Sequence, residues 1–140
     1  MNRISLIHPY YNHKETLKEH LKRWSFFSLY LKKHFEFIIV DDGSPIHPCK
    51  VTDTYDLDIS VYRIDPDIPW NTSGATNLGF FTAKYDWVLH LDFDLALNAD
   101  DAKNLLSLDF TNPKNIYWPK MKMYSGSHYA LNIREPHCNG

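Results

Sequence analysis

Cysteine is scarce in this chain. So are long apolar runs, net positive charge and the glycine-rich signatures of the common phosphate loops. Each shortage removes a class of protein. The two cysteines, Cys49 and Cys138, share no C-x-x-C spacing and cannot form a metal cluster alone. Two free thiols in a reducing compartment are the expectation. No stretch approaches the ~18 apolar residues of a membrane span, and the opening apolar stretch, broken by His8 and Pro9, is too short for a signal peptide. A soluble, cytoplasmic protein with no transmembrane segment is therefore expected. With 15 basic against 17 acidic residues the chain lacks the basic face that nucleic-acid or anionic-membrane binding needs. A single localised phosphate site is not excluded. There is no G-x-x-x-x-G-K-[ST] and no G-x-G-x-x-G, and no HExxH or Gly-x-Ser-x-Gly elbow appears.

What remains is enough for one domain. The 140 residues are 44% hydrophobic and 15% aromatic, ample for a core. Arg3 to His8 and Glu36 to Val40 read as buried strands, Ile59 to Ile64 as a third, and Asp86 to Leu91 as a fourth. Leu17, Leu21, Trp24, Phe27 and Leu31 recur at helical spacing and predict one helix from His13 to Lys32. Asn12 is its expected cap, with Glu15 as capping-box partner. Thr72 or Ser73 is expected to cap a second helix, and Asn98 or Asp100 a short third one over Asp100 to Leu108. Ile46 to Asp58 and Asp65 to Asn71 read as loops. Asn115 to Pro119 looks like another strand. Met121 to Tyr124 and Tyr129 to Ile133 are expected to pair antiparallel around Ser125-Gly126-Ser127. Apolar strands alternating with helices imply an α/β fold: a mostly parallel, Rossmann-like sheet with helices on both faces and a small antiparallel C-terminal part.

In such sheets ligands bind beyond the carboxyl ends of the strands. Three polar clusters fall there: Pro9–Asn12, Asp41–Ser44 and Asp92–Asp94. Asp is costly at the exit of an apolar strand unless it binds something. Alternate residues of an extended strand share a side, so Asp92 and Asp94, with Phe93 between them, can face one divalent cation. A hard cation of the Mg or Mn kind takes one or two carboxylates, with substrate phosphates completing its shell. Asp41-Asp42-Gly43-Ser44 taken alone is an Asx-turn; beside the other clusters, an Asp that accepts from a nucleobase or ribose fits better. A tyrosine of Pro9-Tyr10-Tyr11-Asn12 can stack on a flat ring. Trp70 and Asn71 lead into a helix start with Gly74 and Asn77, where anions are favoured. Of the eight histidines, His137 is the one that would add a nitrogen ligand to the two carboxylates.

Together these residues resemble family 2 glycosyltransferases, which have the glycosyltransferase A fold. Ser5-Leu6-Ile7-His8-Pro9-Tyr10-Tyr11-Asn12 resembles the opening strand and its P-x-Y-N turn. Ile38-Ile39-Val40-Asp41-Asp42-Gly43-Ser44 resembles "VVDDGS". Gly74-Ala75-Thr76-Asn77-Leu78-Gly79 resembles "AARNxG", with Thr76 where the family usually has Arg. Leu91-Asp92-Phe93-Asp94 resembles the D-x-D segment. The resemblance implies a metal-dependent hexosyltransferase that takes a nucleoside diphosphate sugar, a UDP-sugar such as UDP-glucose or UDP-galactose being expected, and an unknown acceptor. Pro9, Tyr11 and Asp42 would hold base and ribose, Asp92 ribose or metal, and Asp94 the Mn2+ or Mg2+ bridging the diphosphate. Asn77 and the Trp70–Gly74 loop would line the sugar-phosphate side. Relatives continue past this region into an acceptor-binding part that carries the base of inverting enzymes. Here Glu135 and His137 are the candidates for that role. Expected is either a minimal enzyme that also hydrolyses its donor, or a non-catalytic nucleotide-sugar-binding module or truncated remnant. A homodimer would cover apolar surface that a short fold leaves open. A nucleotidyltransferase would want a Gly-rich, Arg- or Lys-bearing loop after the first strand, which Pro9–Lys14 lacks.

Overall fold

A computed structural model describes residues 2–48, 55–112, 114–117, 120–123 and 129–132. Two fully buried strands form its centre, β1 (Ile4–Tyr10) and β2 (Phe35–Asp41). Both are parallel, with β3 (Ile59–Arg63) beside β2 and β4 (Trp87–His90) beside β1, giving the order β3-β2-β1-β4. The expected parallel α/β sheet is therefore present. The chain runs outward from β1 to β2 to β3, then returns across to β4. The reversal falls between β1 and β4, the place where such sheets open a crevice at their carboxyl ends.

The period-2 alternation of the strands assigns the helices to faces. Ile4, Leu6 and Tyr10 of β1 and Phe35, Phe37 and Ile39 of β2 share one cluster with Leu17, Leu21 and Trp24 of α1 (Lys14–Ser25), Leu31 of α2 (Leu29–His34), and Ala102 and Leu105 of α4 (Ala99–Leu106). Ile7, Ile38 and Val40 point the other way, against Ala75 and Leu78 of α3 (Thr72–Thr82). Gly79 permits this close approach, since a Cβ there would stand 2.3 Å from Ile7 Cγ2. Trimming a filled position such as Leu21 to alanine costs about 2–5 kcal/mol in cores of this kind. At the amino end of the sheet Glu36 is buried but paired: Ser5 Oγ donates to its Oε2 at 2.7 Å and the Lys84 amide at 3.0 Å.

The helix expected over His13–Lys32 is two helices. α1 stops at Ser25, and Ser28 caps α2 by accepting from the Leu31 amide at 3.3 Å. The apolar seam hid the break because Phe27, in the intervening turn, still points inward. Asn12 is not the cap of α1. His13 occupies that position, without a side-chain bond, while Asn12 takes φ 49° and its amide donates to Ser44 Oγ at 2.8 Å. Glu15 pairs with Lys18 rather than closing a capping box. Asn71, not Thr72 or Ser73, precedes α3. Asn98 caps α4 as expected, its Oδ1 accepting from the Asp101 amide at 2.8 Å.

A second sheet has the order β5-β7-β6. Its strands are β5 (Leu95–Ala96), β6 (Lys120–Met123) and β7 (Tyr129–Asn132); β6 and β7 are antiparallel, as expected, and β7 runs parallel to β5. Residues 115–117 of the expected Asn115–Pro119 strand are not in a strand. Cys49, the turn expected at Ser125–Ser127, Glu135, His137 and Cys138 lie outside the described residues. No described helix is long and apolar enough to cross a membrane.

Candidate functional site

The carboxyl ends of β1 and β4, the turn after β2 and the loop after β3 surround a cleft of about 610 Å³, within the range of small-molecule sites. Pro9, Tyr11, Asp42, Trp70, Asp92, Phe93 and Asp94 line it, together with Tyr10, His13, Thr72 and the Asp67–Pro69 segment. Three clusters remote in sequence thus meet at one edge because every strand of the sheet runs the same way.

Asp41 and Asp42 part company. Asp41 is fully buried, and its carboxylate accepts from the Ser44 amide at 3.0 Å and from Arg63 Nη1 at 3.1 Å. Arg63 also reaches Asp65 at 2.8 Å, and the Asp65 bond, ahead of Asp41, holds its guanidinium pKa up. Asp41 therefore builds the turn and does not line the cleft. Asp42 faces the cleft, its amide tied to the Tyr10 carbonyl at 2.9 Å and its Oδ1 accepting from Asn71 Nδ2 at 2.9 Å. Asn71 can reach it because residue 74 is glycine: a Cβ there would stand 2.2 Å from Asn71 Oδ1. Gly74 and Asn71 thus act on the cleft through Asp42 rather than by lining it. Asn12 and Asn77, the latter on α3, are exposed and lie outside the lining.

Tyr11 is half exposed, and its hydroxyl donates to Asp67 Oδ2 at 3.1 Å. That bond, and then the charge of Asp67, raise the phenol pKa. The tyrosine ring thus forms one wall, tethered to the loop after β3. Trp70, at 98% exposure and φ 58°, stands at the rim.

On the far wall β4 ends at His90, so Asp92 and Asp94 do not alternate on a strand. They sit in a turn closed by the Leu95 amide donating to the Asp92 carbonyl at 2.9 Å. A turn brings both carboxylates to the cleft where the pleat was expected to do so. His90 Nε2 lies 3.5 Å from Asp92 Oδ1 and 3.3 Å from Thr76 Oγ1. Two exposed carboxylates form an oxygen donor set suited to Mg2+ or Mn2+. Among the described residues no three His, Cys, Asp or Glu side chains gather into a cage. A cation there would need further oxygens, as from a diphosphate.

Sequence reasoning missed Asp67, Ile68, Pro69, His13 and His90 near this edge. The loop after β3 shares the carboxyl edge with the other clusters, and extending the topological argument to it would have found Asp67–Pro69.

The family model described as "Glycosyl transferase family 2" matches residues 5–136. The undecaprenyl-phosphate 4-deoxy-4-formamido-L-arabinose transferase of Proteus mirabilis is 29% identical over 109 residues, covering 76% of this chain and 33% of that protein. The chain spans about a third of the length of the curated relatives it matches. Among solved structures, S. aureus TarS 1-349 aligns with a TM-score of 0.65 at 24% identity, over 75% of this chain and 31% of that one. The mannosyltransferase PcManGT from Pyrobaculum calidifontis, in complex with GDP-Man and Mn2+, aligns with a TM-score of 0.59 at 21% identity, over 71% and 29%. These likenesses show a shared fold.

Proposed function

The chain belongs to glycosyl transferase family 2, and from that premise we propose that its cleft binds a nucleoside diphosphate sugar with Mn2+ or Mg2+ and serves transfer of the sugar to an acceptor. The observation that carries this reading is that Asp42 with Tyr11, and Asp92 with Asp94, line one cleft. The Asp42 carboxylate, anchored by Asn71, accepts from a base N–H, for which the uracil N3–H of a UDP-sugar is suited. The Tyr11 ring covers the base, and Pro9 floors the pocket. Asp94, with Asp92, would hold the cation. When bound, such a cation neutralises charge on the leaving nucleoside diphosphate. Trp70 and Thr72 flank the sugar side. Glu135 and His137 are the proposed groups for taking the acceptor proton. The curated relatives carry undecaprenyl-phosphate in their names, so a polyprenyl phosphate belongs among the acceptors assayed.

A thermal-shift panel tests the reading: UDP, GDP, CDP, ADP and dTDP, each with Mn2+ or with EDTA. A ligand at 100 times its Kd stabilises by about 2.7 kcal/mol, readily seen. A shift for one nucleotide that needs Mn2+ is expected; no shift with any of them defeats the reading. A second reading is that the cleft binds the nucleotide sugar without turnover. Release of free sugar from the bound donor in Mn2+ excludes it.

A further inference from the structure

We infer that His8 and His20 are positioning residues for the turn that carries Asp92 and Asp94: two buried imidazole N–H groups hold the carbonyls on either side of Asp92 and so set where both cleft carboxylates stand. His8 Nδ1 lies 3.0 Å from the Leu91 carbonyl oxygen, and His20 Nε2 lies 3.0 Å from that of Phe93. A carbonyl only accepts, so each of these nitrogens carries the proton. One donor comes from the fully buried strand β1 and the other from the buried face of α1, which His20 shares with Leu17, Leu21 and Trp24. The parallel ladder supplies only the Leu91 amide, which donates to Ile7 at 2.9 Å; beyond it the chain leaves the sheet.

The rings are braced. His8 and His20 meet edge to face with centroids 4.8 Å apart, and His20 stacks on Trp24 at 5.6 Å. The Phe93 ring packs between His8, at 6.3 Å, and His13, at 4.4 Å. Burial first, and then the nearby His20, push the His8 imidazole down to about 3. It stays neutral, with Nδ1 as its one donor. An aliphatic side chain would satisfy the apolar pattern at position 8 and would leave the Leu91 carbonyl without this donor. A planar ring with two torsions, wedged against Trp24, fixes that carbonyl's position.

The functional readout of this inference rests on the proposed donor site, so the test also includes two readouts in the ligand-free chain. His8→Leu and His20→Leu remove the donors. His8→Asn and His20→Gln keep an N–H at about the same reach. The Leu95 amide, which closes the turn, is followed by hydrogen exchange, with the amide of Ile38, buried on the other face of the sheet, as the interior control. Its exchange is expected to rise about tenfold in the leucine variants and to return toward wild type in the amide variants. UDP affinity in Mn2+ is expected to fall about tenfold in the leucine variants, the scale seen when groups behind a metal ligand are lost, and to recover in the amide variants. A long-range 1H–15N spectrum of the wild type should show His8 protonated at Nδ1 and His20 at Nε2. Wild-type exchange at Leu95 in both leucine variants overturns the inference, as does a proton on His8 Nε2 in place of Nδ1. A wild-type protein that binds no nucleotide defeats the proposed function alone; exchange and tautomer still decide the role of the histidines.

Discussion

Asn71 Nδ2 donates to Asp42 Oδ1 at 2.9 Å, joining the residue that begins α3 to the cleft carboxylate after β2. The bond spends a side chain that would ordinarily cap the helix. It aims Asp42 instead, and the missing Cβ of residue 74 makes room for it.

Gly74→Ala separates stability from binding. Alanine gains up to about 1 kcal/mol over glycine inside a helix. The new methyl displaces only the flexible Asn71 amide. Expected is a melting temperature equal to or above wild type, with UDP affinity reduced severalfold. A calorimetric binding titration beside a melting curve reads both, and undiminished affinity would detach Asn71 from the site.

Tyr11 offers a ring and a hydroxyl, and two variants separate them. Tyr11→Phe removes the bond to Asp67, an exposed contact, and should change stability by no more than about 0.5 kcal/mol. Tyr11→Ala also removes the wall of the cleft and should weaken nucleotide binding by about 1–3 kcal/mol, the scale of a lost base–aromatic stack. Equal losses in the two variants would assign the effect to the hydroxyl.

His8 makes folding pH-dependent. Its imidazole protonates near 6.5 in the unfolded chain and at about 3 when buried. Between those values the unfolded state binds more protons, so stability is fully present above 6.5 and is lost as pH falls toward 3. Between pH 7 and pH 5 the wild type should lose about 2 kcal/mol more than His8→Asn, which has no titrating ring. Urea unfolding of both proteins at the two pH values checks this; parallel losses would mean that His8 does not carry the slope.

Asp94→Ala removes an exposed carboxylate from the turn and should leave the melting temperature within about 1–2 °C of wild type, since surface changes rarely exceed about 0.5 kcal/mol. Nucleotide binding should lose its dependence on Mn2+. A thermal shift by UDP that still disappears on adding EDTA would place the cation elsewhere.

Much of the site was legible because its residues violate the local pattern. Asp92 and Asp94 follow an apolar strand, and Asp41-Asp42-Gly43-Ser44 follows another, so polar groups at strand ends stand out against what a buried strand allows. The roles within those clusters were less legible. The Asp41–Asp42 pair looks uniform in sequence, yet one carboxylate builds the turn with Ser44 and Arg63 while the other faces the cleft. Asn12 reads as a helix cap and Asn71 as the end of a loop, and both have partners 32 and 29 residues away. The break between α1 and α2 was invisible to periodicity because Phe27 keeps the apolar face continuous.

The sequence by itself determined the strands of the parallel sheet, and that the sheet carries its chemistry at the carboxyl edge. Those follow from local patterning, since a run apolar on both faces must be covered on both faces. Only the tertiary structure decided that the reversal falls between β1 and β4. It alone showed that Asp92 and Asp94 share the cleft through a turn rather than a pleat. It also turned His8, which breaks the opening apolar stretch, and His20 into donors for the Leu91 and Phe93 carbonyls. A hydrogen bond between residues 83 or 73 positions apart depends on how two elements cross, and no local pattern encodes that crossing.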